Sequence, residues 1–354
     1  MLKEADKETL LLAAVAAPSA DNSQPWQYRW TEDDALDLWI DPKRSGKFSD
    51  ARYLLSDLAL GACIENINIQ AQALGYSMKA DYFPDGEDSP LWVARLAFTL
   101  ATPKDSGNDL ATIIHQRATN RRFPWKGPIE VSVRQDLITE AAQIPGIRLV
   151  WCEHDNARKA CIRALWTAES LRFKSRKLHQ ELFSSIAFAV GRKGSSPEGL
   201  SPKNLAVEFL LWPFFKALRH WPLMRALNLF GGAWLMGFRS SVLPAKLSPG
   251  LALLCCDEKH RSSIVDLGRA LERLWLRATV AGLSLQPYAA PGVLSLGFVE
   301  LETHWHEQMK VIREDMQQAC PDAYGVLMLR LGRAGKAHVS SGERRALSSF
   351  EKKE

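Results

Sequence analysis

Two short segments hold the side chains whose types and spacing could do chemistry. The first, Pro18-Ser19-Ala20-Asp21-Asn22-Ser23-Gln24-Pro25-Trp26, offers a hydroxyl and two amides just past a helical pattern. Such groups hydrogen-bond the edge of a flat heterocycle and a hydroxyl-bearing chain. On its own, the segment reads first as a capped turn, with Pro25 pinning the chain and Trp26 entering a core. The second, Arg117-Ala118-Thr119-Asn120-Arg121-Arg122-Phe123, sets three arginines beside a Thr and an Asn. That grouping clamps a phosphate through charge-assisted, bidentate bonds. It reads equally as a solvated basic helix end opposite the negative pole of the helix.

Other chemistries find little footing. His304 and His306 stand two apart, so on a helix they diverge, and the remaining histidines form no cluster; no metal is expected. No Gly-x-Gly-x-x-Gly follows a strand, and GRAGK at 332–336 lacks the spacing of a phosphate loop. GLSLQ and KGSSP are not nucleophile elbows. Six cysteines are scattered without a Cys-x-x-Cys, and the adjacent Cys255-Cys256 lies in the run LALLCC, which fits buried free thiols. The first residues carry acidic groups ahead of a short apolar run, unlike a signal peptide, so a reducing cytoplasm is expected.

The elements that must position the two segments follow from patterning. Residues 5–16 read as a helix ending before Pro18, 27–30 and 35–40 as strands, 51–74 as a helix, and 76–83 and 91–100 as strands. The polar stretch 101–109 reads as a linker. A second unit opens with a helix ending near residue 117 and has strands at 147–152, 251–256 and 325–331. A length of 354 residues allows roughly two domains, and 46% apolar with 24% charged residues excludes a disordered or disulfide-scaffold chain. The formal charge of +5 allows an anionic ligand, and no basic run with interleaved aromatics points to nucleic acid.

An internal repeat joins the halves. At an offset of 207, GACIENINIQAQALGYSMKA (61–80) aligns with GRALERLWLRATVAGLSLQP (268–287), matching Gly61/Gly268, Glu65/Glu272, Ala71/Ala278, Gly75/Gly282 and Ser77/Ser284. The apolar stripe at 60, 63, 64, 67, 71 and 74 recurs at 267, 270, 271, 274, 278 and 281. Duplication of an α+β unit is the expectation, giving a pseudo-dimer within one chain.

Together, the two segments resemble the FMN-dependent nitroreductase family. Ser19, Asn22, Gln24, Pro25 and Trp26 match its Pro-Ser-x-x-Asn-x-Gln-Pro-Trp loop, and Arg117 and Thr119 match its Arg-x-Ser phosphate motif with Thr for Ser. Here the loop precedes the arginine motif, the reverse of the family order. That inversion resembles the single-chain, two-lobed (Acg-like) branch, in which one lobe supplies the loop and the other the phosphate site. The resemblance implies an α+β, nitroreductase-like fold of two tandem lobes with mixed or antiparallel sheets flanked by helices. Lobe one would be 1–108 and lobe two 109–336, with a mobile tail at 337–354.

It further implies one FMN per chain, with Ser19, Asn22 and Gln24 on the flavin and Arg117, Thr119 and Arg121 on its phosphate. Backbone around Pro287, Tyr288 and Ala289 would face the N5 edge, Arg330 or Arg333 would close the phosphate site, and Arg239-Ser240-Ser241 would stand by the pyrimidine ring. The implied activity is ping-pong hydride transfer from NAD(P)H to a nitroaromatic, quinone or enone, with no dedicated catalytic side chain. An FMN-sequestering protein with little turnover is the alternative, and a colourless membrane-surface or partner-binding module a third reading. A monomeric pseudo-dimer or a homodimer is expected, with no transmembrane span. The Trp- and Phe-rich insert 171–244 is expected as a lid over the flavin, against two other readings: a dimerisation surface and a membrane-surface segment.

Overall fold

The computed structural model describes residues 2–89, 91–101, 108–123, 125–334 and 342–353. Lobe one opens with α1 (Glu4–Val15), β1 (Trp26–Trp30), β2 (Leu36–Ile40) and α2 (Leu54–Ala73), and ends with β3 (Tyr76–Tyr82) and β4 (Trp92–Leu100). Lobe two runs through α3 (Asn108–Ile113), α4 (Val131–Ala141), β5 (Ile147–Trp151) and α5 (Asp155–Lys174), then α6 (Arg176–Ser184) and α7 (Pro202–Leu205). There follow α8 (Trp212–Ala217), α9 (Trp221–Asn228), α10 (Gly232–Gly237), α11 (Leu243–Lys246) and β6 (Gly250–Cys256). It closes with α12 (Arg261–Val280), β7 (Ser284–Tyr288), α13 (Ala290–Ser295), α14 (His306–Ala319) and β8 (Tyr324–Gly332). The expected strands and long helices therefore form, while most of the 101–109 linker lies outside the described residues.

The duplication is visible in topology. Each lobe has a four-stranded antiparallel sheet, ordered β1-β2-β4-β3 in the first and β5-β6-β8-β7 in the second. Strand for strand, these are the same order. The repeated helices α2 and α12 each lie between the second and third strands of their lobe. Each ends at a glycine with positive φ, Gly75 at 84° and Gly282 at 69°, where a side chain would strain the turn into the next strand.

The two helices cross at equivalent points. A Cβ on Gly61 would stand 1.9 Å from the Val265 carbonyl oxygen, and one on Gly268 would stand 2.1 Å from that of Leu58. Leu58 and Val265 are themselves 207 apart, so the contact is reciprocal, as in an isologous dimer interface. Each core takes side chains from the other lobe's helix. Leu54 and Leu58 join the larger core of lobe two, and Val265 joins that of lobe one. Arg261 forks onto the buried Asp57 across the same seam at 2.8 and 2.7 Å.

Two expectations need revision. The insert is not simply a flap, because Phe173, Phe183, Ile186, Leu200, Leu218, Met224 and Ala233 enclose a small core of their own. Nor is the whole tail loose. Residues 337–341 lie outside the described residues, but Phe350 is fully buried in the core of lobe one, and Glu351 pairs with Tyr28 beside β1. An aromatic at the end of a polar stretch is enough to anchor it.

Candidate functional site

The two polar segments meet. One cavity, of about 80 Å³, is lined by Pro18, Ser19, Asp21 and Asn22 from lobe one and by Arg117, Ala118, Thr119 and Arg121 from lobe two. Gly199, Leu200, Ser201 and Asn204 of the insert cover it, with Gly342 and Arg344 of the tail. Five of the side chains singled out by sequence, Ser19, Asn22, Arg117, Thr119 and Arg121, thus share one space.

The lobe-one loop is held in an unusual conformation. Asp21, Asn22 and Gln24 all have positive φ, at 53°, 55° and 51°, a region L-residues rarely adopt without compensating bonds. Compensation is present: the Ser19 hydroxyl accepts from the Gln24 backbone N–H at 3.0 Å. The fully buried Gln24 donates to the Pro197 carbonyl at 2.6 Å, and its amide oxygen accepts from the Arg345 backbone N–H at 3.1 Å. Gln24 therefore ties the loop to insert and tail rather than lining the cavity. Asn22 donates to the carbonyls of Pro197 and Glu343 and accepts from Arg344 at 2.9 Å.

The lobe-two segment is docked on a sheet edge. Thr119 bridges in parallel to Leu285 of β7, and the Asn120 N–H donates to the Leu285 carbonyl at 3.2 Å. β7 is the outer strand of its sheet, which is why it tolerates Pro287. Behind it, the completely buried Arg330 donates to the carbonyls of Asn120 and Arg122 at 3.1 and 2.8 Å and to Gln286 at 2.9 Å, with Trp125 stacked 3.9 Å from its guanidinium. Burial draws its pKa down to about 10. Arg330 braces the arginine segment from behind and is not on the cavity wall.

Beneath the cavity lies a buried charge group. Arg117 is 3% exposed, stands 3.2 Å from the Glu272 carboxylate through Nε, and donates to the Ala16 carbonyl at 2.9 Å. Its guanidinium also lies 4.5 Å from the Trp275 ring. Arg344 donates to the Val15, Ala16 and Ala17 carbonyls at 2.9, 3.3 and 2.9 Å, satisfying the last carbonyls of α1 and its C-terminal dipole. Burial, with Arg117 nearby, draws Arg344 down to about 10. Burial pushes the Glu272 carboxyl up, and the adjacent Arg117 opposes the shift. Arg121 makes a single long contact, 3.4 Å to the Asn204 carbonyl, and desolvation lowers its pKa against the pull of Asp21.

The remaining expected residues sit elsewhere. Pro287, Tyr288 and Ala289 form the end of β7 and the turn after it, off the cavity wall; the buried Tyr288 hydroxyl donates to the Ser241 carbonyl at 3.4 Å. Arg333 is partly exposed and pairs with Glu130 at 2.9 Å, away from the cavity. Arg239 lies over Phe123 and bridges Glu208. Sequence reading missed Arg344 and the site role of Glu272, which it named only as a repeat match; the covering turn Gly199–Asn204 belongs to the insert 171–244 expected as a lid. The arginine pair in an otherwise Ser-rich tail was the one available signal for Arg344. Among the described residues, no group of His, Cys, Asp and Glu could hold a metal.

No protein-family model matches the chain. "Putative NAD(P)H nitroreductase acg" of Mycobacterium tuberculosis is 30% identical over 177 residues, 48% of this chain and 50% of that protein. An uncharacterized protein of the same organism is 23% identical over 347 residues, 95% of this chain and 47% of that one. The chain thus spans at most about half the length of these curated relatives. The FMN-dependent nitroreductase NfnB from Mycobacterium smegmatis, solved in complex with NADPH, superposes with a TM-score of 0.39 at 15% identity, covering 71% of this chain and all of that one. By sequence, the chain is a relative of proteins named as NAD(P)H nitroreductases, the family that its Pro18–Trp26 loop resembles.

Proposed function

We propose that the protein is an FMN-dependent NAD(P)H oxidoreductase of nitroreductase type, with one FMN per chain. The observation that carries this reading is the convergence of the Ser19–Asn22 loop and the Arg117–Arg121 segment, from different lobes, on one cavity. The donor set fits a phosphorylated, polyhydroxylated ligand. Three guanidinium groups, three hydroxyls and two amides face a single carboxylate, Asp21. The relatives named as nitroreductases support the same assignment.

Bound there, FMN would supply hydride chemistry between NAD(P)H and an electron-poor acceptor such as a nitroaromatic, quinone or enone, in two half-reactions. The chain's own part is position and field. Arg121 and Thr119 hold the phosphate, Arg117 and Arg344 keep the cavity floor positive, and Ser19 and Asn22 orient the hydroxylated chain. Glu272 and Arg330 hold the arginines in place from behind. Hydride transfer itself needs no dedicated acid or base among the side chains. The 199–204 turn and the Gly342–Arg344 segment lie over this cavity. That cover also favours a second reading, FMN sequestration with little turnover.

An absorption spectrum after reconstitution, followed by NADPH oxidation with a quinone, tests both. A flavin band near one per chain with turnover supports the oxidoreductase, and a flavin band without turnover supports sequestration. A protein that stays colourless with excess FMN overturns both.

A further inference from the structure

The covering turn accounts for only part of the insert. Helices α8, α9 and α10 contribute nothing to the cavity wall. They close a small core around Leu218, Met224 and Ala233, yet their outer surface is apolar. Of the 17 large hydrophobic side chains exposed among the described residues, nine fall between Phe209 and Leu235. Leu210, Leu229 and Phe230 are 85%, 82% and 87% exposed. Concentrated exposure of this kind marks an interaction surface.

Charge is concentrated on the same stretch. Between residues 201 and 247 stand Lys203, Lys216, Arg219, Arg225, Arg239 and Lys246 against the single acidic Glu208. Their excess equals the formal charge of the whole chain, +5, so the rest of the protein is neutral. Lys216, Arg219 and Arg225 are exposed among the apolar side chains.

The occupant follows from this pairing. A second copy would bring the same positive field against itself. A nucleic acid would meet the charge but leave Leu229, Phe230 and Leu235 without an apolar counterpart. An anionic bilayer satisfies both, since basic side chains reach headgroup phosphates while aromatic and aliphatic tips enter the acyl boundary. The helices have 6, 8 and 6 residues, far from the roughly 20 that a span requires. No helix of the described residues is long and apolar enough to cross a membrane.

We propose that the segment 209–237 is a docking surface for bilayers rich in anionic phospholipid, seated in the interface without crossing it. The test is flotation of the full chain with vesicles of phosphatidylcholine, with and without phosphatidylglycerol, at low and high salt. The expected result is flotation with the anionic vesicles alone, weakened by salt. Lys216→Glu with Arg219→Glu should lower partitioning by roughly tenfold or more, and Leu229→Ser with Phe230→Ser should lower it by a similar factor. Lys310→Glu, an exposed site on α14, should leave it unchanged, and unaltered melting temperatures will show that the variants fold.

Failure to float with anionic vesicles at low salt overturns the proposal. So does an equal loss from Lys310→Glu, which would indicate diffuse attraction. Insensitivity to the Leu229/Phe230 pair removes the apolar half of the argument and with it the docking geometry. Self-association that Phe230→Ser abolishes, in a protein that ignores vesicles, would assign the surface to a second copy.

Discussion

Glu65 and Glu272 occupy equivalent places in the two halves, and their surroundings differ. Glu65 on α2 is met by Arg269 at 2.9 Å and Arg273 at 2.7 Å, both from α12. The equivalent places on α2 carry Ala62 and Asn66, neither a cation. Glu272 therefore draws its charge from outside the helix pair, from Arg117, with Arg344 close by. On the Glu65 side, arginines are used to fasten the lobes together. On the Glu272 side, they belong to segments that wall a cavity. A symmetric scaffold thus carries an asymmetric site, and the asymmetry comes down to which helix bears the arginines.

The largest effect expected from disturbing this arrangement is at Glu272. Glu272→Gln leaves the buried Arg117 without its carboxylate, with the half-buried Arg344 close by, and should cost about 3–5 kcal/mol in urea unfolding. Glu65→Gln should cost less, because Arg273 keeps Glu140 and Arg269 keeps Asp266. Equal losses would mean that the two clusters are interchangeable.

The crossing of α2 and α12 probes what remains symmetric. Gly61→Ala and Gly268→Ala each drive a methyl into backbone and should each destabilise by about 3 kcal/mol, at the upper end of overpacking costs. A clear inequality between them in chemical denaturation would break the pseudo-two-fold.

At the cavity, Arg121 has little structural duty, so Arg121→Ala should weaken FMN binding by about 1.5–3 kcal/mol with folding intact. Flavin fluorescence titration measures this, and an unchanged affinity would remove Arg121 from the phosphate site. The smallest effect belongs to Arg333, whose one carboxylate contact among the described residues is the exposed Glu130. Arg333→Ala should shift FMN affinity by less than about 0.5 kcal/mol in the same titration. A larger loss would mean that the cavity extends toward β8.

What could be read in the chain differed between helices and the site. The stripe at 60, 63, 64, 67, 71 and 74 and its echo 207 residues later announced two equivalent helices, because a period near 3.6 survives in one dimension. The Ser19, Asn22, Arg117, Thr119 and Arg121 side chains were recognisable by type and spacing. Arg330 and Arg333 were not separable, since arginines three apart at a strand end differ only in where the chain turns them: one is sealed beneath the sheet edge and the other, just past β8, reaches Glu130. Gln24 resembled a ligand group and became a strut, because only the fold brings Pro197 and Arg345 to it.

By itself, then, the sequence determined the secondary elements, the duplication and the chemical character of the two segments, all of which depend on neighbours within a few residues or on a fixed offset. The tertiary structure alone decided that the segments face each other, that Glu272 rather than Glu65 anchors a cavity, and that Arg344 and the 199–204 turn close over it. Those decisions rest on contacts between residues about 70 to 330 positions apart, where burial and charge pairing act through space and leave no periodic trace along the chain.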